Sequence, residues 1–134
     1  MKEIVSIELE MAAEKLDSAK LLLRNEKLSD AVNRAYFSMF HAARALLRIY
    51  DKEPKTHEGL LAEFGLTLIK TGLLDKKFGR MFREAQDARE ASDYKIFVIF
   101  EREEVEDILK NAEKFLKVAK KLSVELLKGK KFKK

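Results

Sequence analysis

The stretch NRAYFSMFHAARALL, Asn33 to Leu47, decides the fold. In a chain of which 38% is charged, its only guanidinium and imidazole groups are Arg34, His41 and Arg44, set among aromatics and alanines. With its flanks included, the polar positions are Asp30, Arg34, Ser38, His41, Arg44 and Arg48, a line close to the 3.6-residue repeat of a helix. Nearly everything off that line is apolar. A helix with one thin polar line is surrounded on most sides by other elements, so this segment predicts a well-covered helix of an all-α domain.

The neighbouring segments supply the cover. Val5, Leu9, Ala12, Leu16, Ala19 and Leu23 recur at spacings of four and three, which predicts a first helix over residues 3–25. Ser29 is the expected N-cap of the second, which runs to Tyr50 before DKEPK breaks it, because the residue before a proline avoids the helical region. Thr56 caps a third helix that packs Leu60, Leu61, Phe64 and Leu68 and ends at Gly72. A fourth, over residues 74–91, carries Leu74, Phe78, Met81, Phe82, Ala85 and Ala88 on one side. The last starts near Arg102 with Val105, Leu109, Ala112, Phe115, Leu116, Ala119 and Leu122 as its buried stripe. Acids crowd its start and lysines its end, as the helix dipole favours, and Glu106–Lys110 and Glu113–Lys117 are expected i,i+4 pairs. The architecture expected is an up-and-down bundle of four to five helices over residues 1–127, followed by a basic, disordered tail, 128–134. The run IFVIF, Ile96 to Phe100, reads as an extended connector or helix start packed on the bundle.

Composition excludes several functions. There is no cysteine, so disulfides and thiolate metal sites are out, and no apolar run long enough to span a membrane. Without a signal-like N-terminus, the expected location is the cytoplasm. The net charge of +5 is carried by the five lysines of KGKKFKK, residues 128–134, which leaves the body with 23 bases against 23 acids. Abundant Lys and Glu, with only Asn25, Asn33, Asn111 and Gln86 as amides, fit a thermophile. A di-metal bundle site needs Glu-x-x-His pairs, and neither His41 nor His57 has a Glu three residues before it, so no metal and no cofactor is expected.

The polar line of the second helix lacks the Lys and Glu of an ordinary solvated face, which marks a groove or an interface. Arg34 and His41 lie seven residues apart, on one face at about 10 Å of axial separation. A guanidinium holds two phosphate oxygens and stays charged, while an imidazole takes a proton from a 2′-hydroxyl or gives one to a leaving 5′-oxygen. The competing interpretation is structural: an interior histidine between Phe37 and Phe40, and an arginine bridged to a carboxylate such as Asp93. Cleavage by internal 2′-hydroxyl attack also wants a second proton-handling group. A two-fold dimer would supply it, or His57 facing the same groove.

NRAYFSMFHAARALL, with KTHEGLLAEFG and AREASDY after it, resembles the small stand-alone prokaryotic HEPN-domain proteins of the UPF0332-like group, over roughly residues 10–120. The resemblance implies a bundle of four or five helices and dimerisation. In the nuclease branches it implies a metal-independent RNase site built on an Arg and a His with four to six residues between them, a spacing that Arg34 and His41 match. It also implies a minimal nucleotidyltransferase as partner, antitoxin to a HEPN toxin. Nuclease members often carry a polar residue after the arginine, where this chain has Ala35. Arg89, Asp93 and Tyr94 of REASDY form a second candidate site, or Arg89 and Asp93 simply an i,i+4 ion pair.

The leading expectation is therefore an endoribonuclease toxin component acting as a homodimer, with Arg34 and His41 catalytic. Asn33, Ser38, His57, Arg89, Asp93 and Tyr94 are expected to contact RNA or a nucleotide. The alternative is a non-catalytic dimeric module that binds a nucleotidyltransferase partner or a nucleotide.

Overall fold

The computed structural model describes residues 2–94 and 99–129. Five α-helices follow one another: α1 Lys2–Arg24, α2 Leu28–Ile49, α3 His57–Phe64, α4 Lys76–Tyr94 and α5 Arg102–Gly129. No β-strand occurs among the described residues, so the all-α bundle expected from periodicity is the fold. The apolar stripes anticipated for each helix form one core, buried or partly buried throughout.

α2 packs on α1, α4 and α5, which explains why its sequence is apolar on most sides. Small residues set the closeness of that packing. Ala12 and Ala19 of α1 and Ala31, Ala35, Ala42 and Ala45 of α2 have no exposed surface. Where α1 and α2 meet, the Ser38 hydroxyl donates to the Ala12 carbonyl at 2.8 Å. On the other side of α2 the rings of Phe64, Phe82 and Phe115 close the centre, with centroids 5.3 to 5.4 Å apart.

The helix ends follow from short-range hydrogen bonding. α1 stops where the Lys27 N–H reaches the Leu22 carbonyl at 2.9 Å and the Glu26 N–H reaches Leu23 at 3.0 Å, a Schellman closure with Glu26 in the left-handed region at φ 59°. α2 ends the same way, with Asp51 at φ 58°. The first closure displaces the expected cap: the N-cap of α2 is Lys27, without a side-chain bond, and Ser29 already lies in the first turn. Thr56 does cap α3, accepting from the Gly59 N–H at 2.9 Å. The expected continuous helix to Gly72 is instead α3 followed by a π-helical segment, Gly65–Ile69, with Gly72 closing it at φ 85°.

α5 continues through Lys128 and Gly129, two residues into the expected tail, and the rest of that tail lies outside the described residues. Of IFVIF, Ile96, Phe97 and Val98 also lie outside them. Ile99 is 87% exposed, and Phe100 packs on the core. The carboxylates of α5 choose other cations than those expected: Glu106 pairs with Arg102 and Glu113 with Lys20 of α1, at 2.6 Å. No helix among the described residues is long and apolar enough to cross a membrane.

Candidate functional site on the outer face of α2

Antiparallel packing of α1 against α2 brings one carboxylate under two guanidinium groups and an imidazole. Glu8, only 5% exposed, accepts from His41 Nδ1 at 2.8 Å through Oε1 and from Arg48 Nε at 2.9 Å through Oε2. Arg44 Nε lies 3.2 Å from the same Oε2, and Arg48 reaches on to Glu53 at 2.7 Å. Burial alone would raise the Glu8 pKa, but hydrogen bonds from His41 and Arg48 and the charges of Arg44 and His41 outweigh it, holding the carboxyl below its ordinary value. An ionised carboxylate has no proton to share, so the hydrogen lies on His41 Nδ1, and Nε2 is the nitrogen left for other partners.

Arg34 lies two turns before His41 on the same helical line and is exposed, its Nη1 donating to the Asn33 Oδ1 at 3.0 Å. His41 is more enclosed, its side chain 12% exposed. Ser38, expected beside them, is fully buried and spent on the Ala12 carbonyl, because its place on the wheel turns it toward α1. The open face of α2 is thus Arg34, Phe37, Phe40, His41 and Arg44, with the Arg44 guanidinium 5.4 Å above the Phe40 ring.

His57 does not share a groove with His41. Phe40 stands between them, 5.2 Å from each imidazole. His57 Nδ1 and the Tyr36 hydroxyl are 2.6 Å apart. Burial and the charge of Arg89 push the His57 pKa down, and burial pushes the Tyr36 hydroxyl up, so the tyrosine is the donor and the neutral imidazole the acceptor.

Arg89 turns inward over the rings of Tyr36 and Phe37, at 5.3 and 5.6 Å, and pairs with Asp93 at 3.6 Å. Its Nε and the Oε1 of Gln86 are buried and have no hydrogen-bond partner among the described residues. Tyr94 points away, 83% exposed, so Arg89 and Tyr94 do not converge on one point. Among the described residues no cluster of carboxylates and imidazoles suits a metal ion.

Glu8 is the residue that sequence reasoning missed. Its signal was a carboxylate between Val5 and Ala12 on the apolar stripe of α1, a position that buries a charge unless a partner helix supplies cations.

Residues 5–122 match the HEPN domain. The chain belongs to the HEPN family. Among HEPN relatives, a UPF0332 protein of Thermotoga maritima is 41% identical over 86% of this chain and 87% of its own length. A protein of Methanocaldococcus jannaschii named a "putative toxin" is 36% identical over 95% of this chain and 94% of its own length. A second "putative toxin" of that organism is 35% identical over 90% and 84%. The family match, residues 5–122, includes Glu8, Arg34, His41 and Arg89.

Proposed function

We propose that this HEPN protein is a toxin-like protein that acts on RNA through the open face of α2, cleaving it without a metal ion as a two-fold homodimer. Arg34 holds the scissile phosphate through its exposed guanidinium. His41 moves the proton through Nε2, taking it from a 2′-hydroxyl or giving it to the leaving 5′-oxygen. The observation that carries this is the Glu8–His41 hydrogen bond of 2.8 Å, which holds the ring in one tautomer with Nε2 turned from the carboxylate.

One chain supplies a single such imidazole, and the second comes from the mate. The outer flank of α1 supports pairing there: Ile4, Ile7 and Met11, exposed by 44, 54 and 38%, recur at coiled-coil spacing next to Glu8. The names of the two Methanocaldococcus relatives support the toxin role. The antitoxin partner in this proposal is a minimal nucleotidyltransferase, which the resemblance of the α2 stretch to HEPN toxins implies.

The test is incubation of purified protein with single-stranded and structured RNA in EDTA, beside His41→Ala and Arg34→Ala. Cleavage by the wild type that falls about 100-fold or more in His41→Ala is the expected result. Equal turnover by both removes His41 from the mechanism.

A second function class is favoured by the enclosure of His41, 12% exposed and tied at Nδ1. In it, the Glu8 cluster only fastens α1 to α2, and the protein is a non-catalytic dimeric module for a nucleotidyltransferase or a nucleotide. Co-purification with a small neighbouring nucleotidyltransferase, without RNA turnover, selects this class.

A further inference from the structure

Away from the α2 face, the balanced charge of the body is locally broken. Residues 70–83, KTGLLDKKFGRMFR, carry five bases and one acid. The fold places four of the five, Lys70, Lys76, Arg80 and Arg83, around one cleft of about 400 Å³ between α3, the π-helical segment and the first turns of α4, with Glu58, Leu61, Phe64 and Ile69 also in its wall. The nearby carboxylates are already engaged. Asp75 Oδ1 accepts from the Lys77 N–H at 2.8 Å, and both Glu58 oxygens accept from the Arg83 guanidinium at 3.1 Å. Asp87 also faces Arg83, at 3.9 Å. Among the described residues, Lys70, Lys76 and Arg80 form no ion pair.

A further feature bears on the ligand. Lys76 and Lys77 at the start of α4 oppose the helix dipole, and Asp75, whose Oδ1 takes the Lys77 N–H, is the one acid before that turn, where α5 has Glu103 and Glu104 inside its own. An anion bound beside Lys76 adds to that single counter-charge. Gly65 and Gly79 also line the cleft, and a Cβ at Gly65 would meet nothing within 4 Å.

We infer that this cleft docks the phosphodiester backbone of RNA, with Lys70, Lys76 and Arg80 as phosphate contacts and Arg83 fixed at its edge by Glu58. The identity of the ligand rests on the RNA role proposed above. The cleft itself needs neither His41 nor cleavage.

Fluorescence anisotropy with a labelled 2′-O-methyl oligouridine, which internal attack cannot cleave, isolates binding from catalysis. Affinity is followed from about 50 to about 200 mM KCl, because each phosphate contact adds about 0.7 to the slope of log K against log salt for a single strand. The triple variant Lys70→Gln/Lys76→Gln/Arg80→Gln should bind about 10-fold more weakly with a slope smaller by about two. Lys110→Gln/Lys114→Gln/Lys117→Gln, which removes three exposed cations of α5, should bind within about twofold of wild type. Circular dichroism melts matching wild type show that both triple variants fold. Unchanged binding by the first triple, or an equal loss in the second, overturns the cleft while leaving the α2 proposal standing. Competition by oligoglutamate as strong as by RNA assigns the cleft to an acidic protein and overturns it too. A wild type that binds no RNA ends both.

Discussion

At the scale of single residues, Glu8 is the most consequential side chain. Removing it leaves the Arg44 and Arg48 guanidinium groups without their counter-charge and the His41 Nδ1–H without its acceptor. Glu8→Ala should therefore cost about 3 kcal/mol of stability, read from urea midpoints. Its pH dependence has a definite sign. The folded pKa lies below the unfolded value, so this contribution is complete above about pH 4.5 and is lost as pH falls through the folded pKa; in Glu8→Gln the acid limb of the stability curve should flatten. His57 works in a higher window. Its folded pKa is also lowered, which for a base means that the fold favours the neutral ring, with full stability above about pH 6.5 and a decline as pH drops below it. His57→Gln should remove that part of the slope in melting curves taken between about pH 5 and pH 8.

At the scale of the element, two helix ends and one seam make distinct demands. Asp51 holds the left-handed position that closes α2, at φ 58°, where a Cβ is a steric burden. Asp51→Gly should stabilise the protein by about 0.5–1 kcal/mol, seen as a rise in Tm of a few degrees. Glu26 is a poorer choice for the same change, because its carboxylate also holds Arg102 at 2.6 Å. The α1–α2 seam behaves oppositely. Ala12 is fully buried where Ser38 bonds its carbonyl, so Ala12→Leu must push the helices apart, at an expected cost of about 2–3 kcal/mol in denaturant titrations.

At the scale of the whole molecule, apolar surface and charge are unevenly distributed. The exposed isoleucines of α1 flank the Glu8–His41 corner, while Lys70, Lys76 and Arg80, without an ion pair among the described residues, line the cleft beside α4. If pairing uses the α1 flank, Ile7→Glu should convert a dimer into a folded monomer in light scattering behind a sizing column. RNA cleavage should fall with it, because each imidazole then lacks its mate. A variant that stays dimeric moves the interface elsewhere.

Helical periodicity is a local property, set by 3.6 residues per turn and the cost of exposing hydrocarbon. That is why the five helices, the Thr56 cap and the buried stripes could all be read from the residues alone, and why the polar line on α2 stood out. Partners across helices are not local. Which carboxylate meets His41, Arg44 and Arg48 depends on the register of α1 against α2, and that brought in Glu8 and hid Ser38 against Ala12. The same packing turned Arg89 inward, set Phe40 between the two histidines and gathered Lys70, Lys76, Arg80 and Arg83 around one cleft. The sequence by itself determined the elements and their buried faces. Only the tertiary structure decided which charges touch, because Coulomb and hydrogen-bond energies act over a few ångströms of space whatever the distance along the chain.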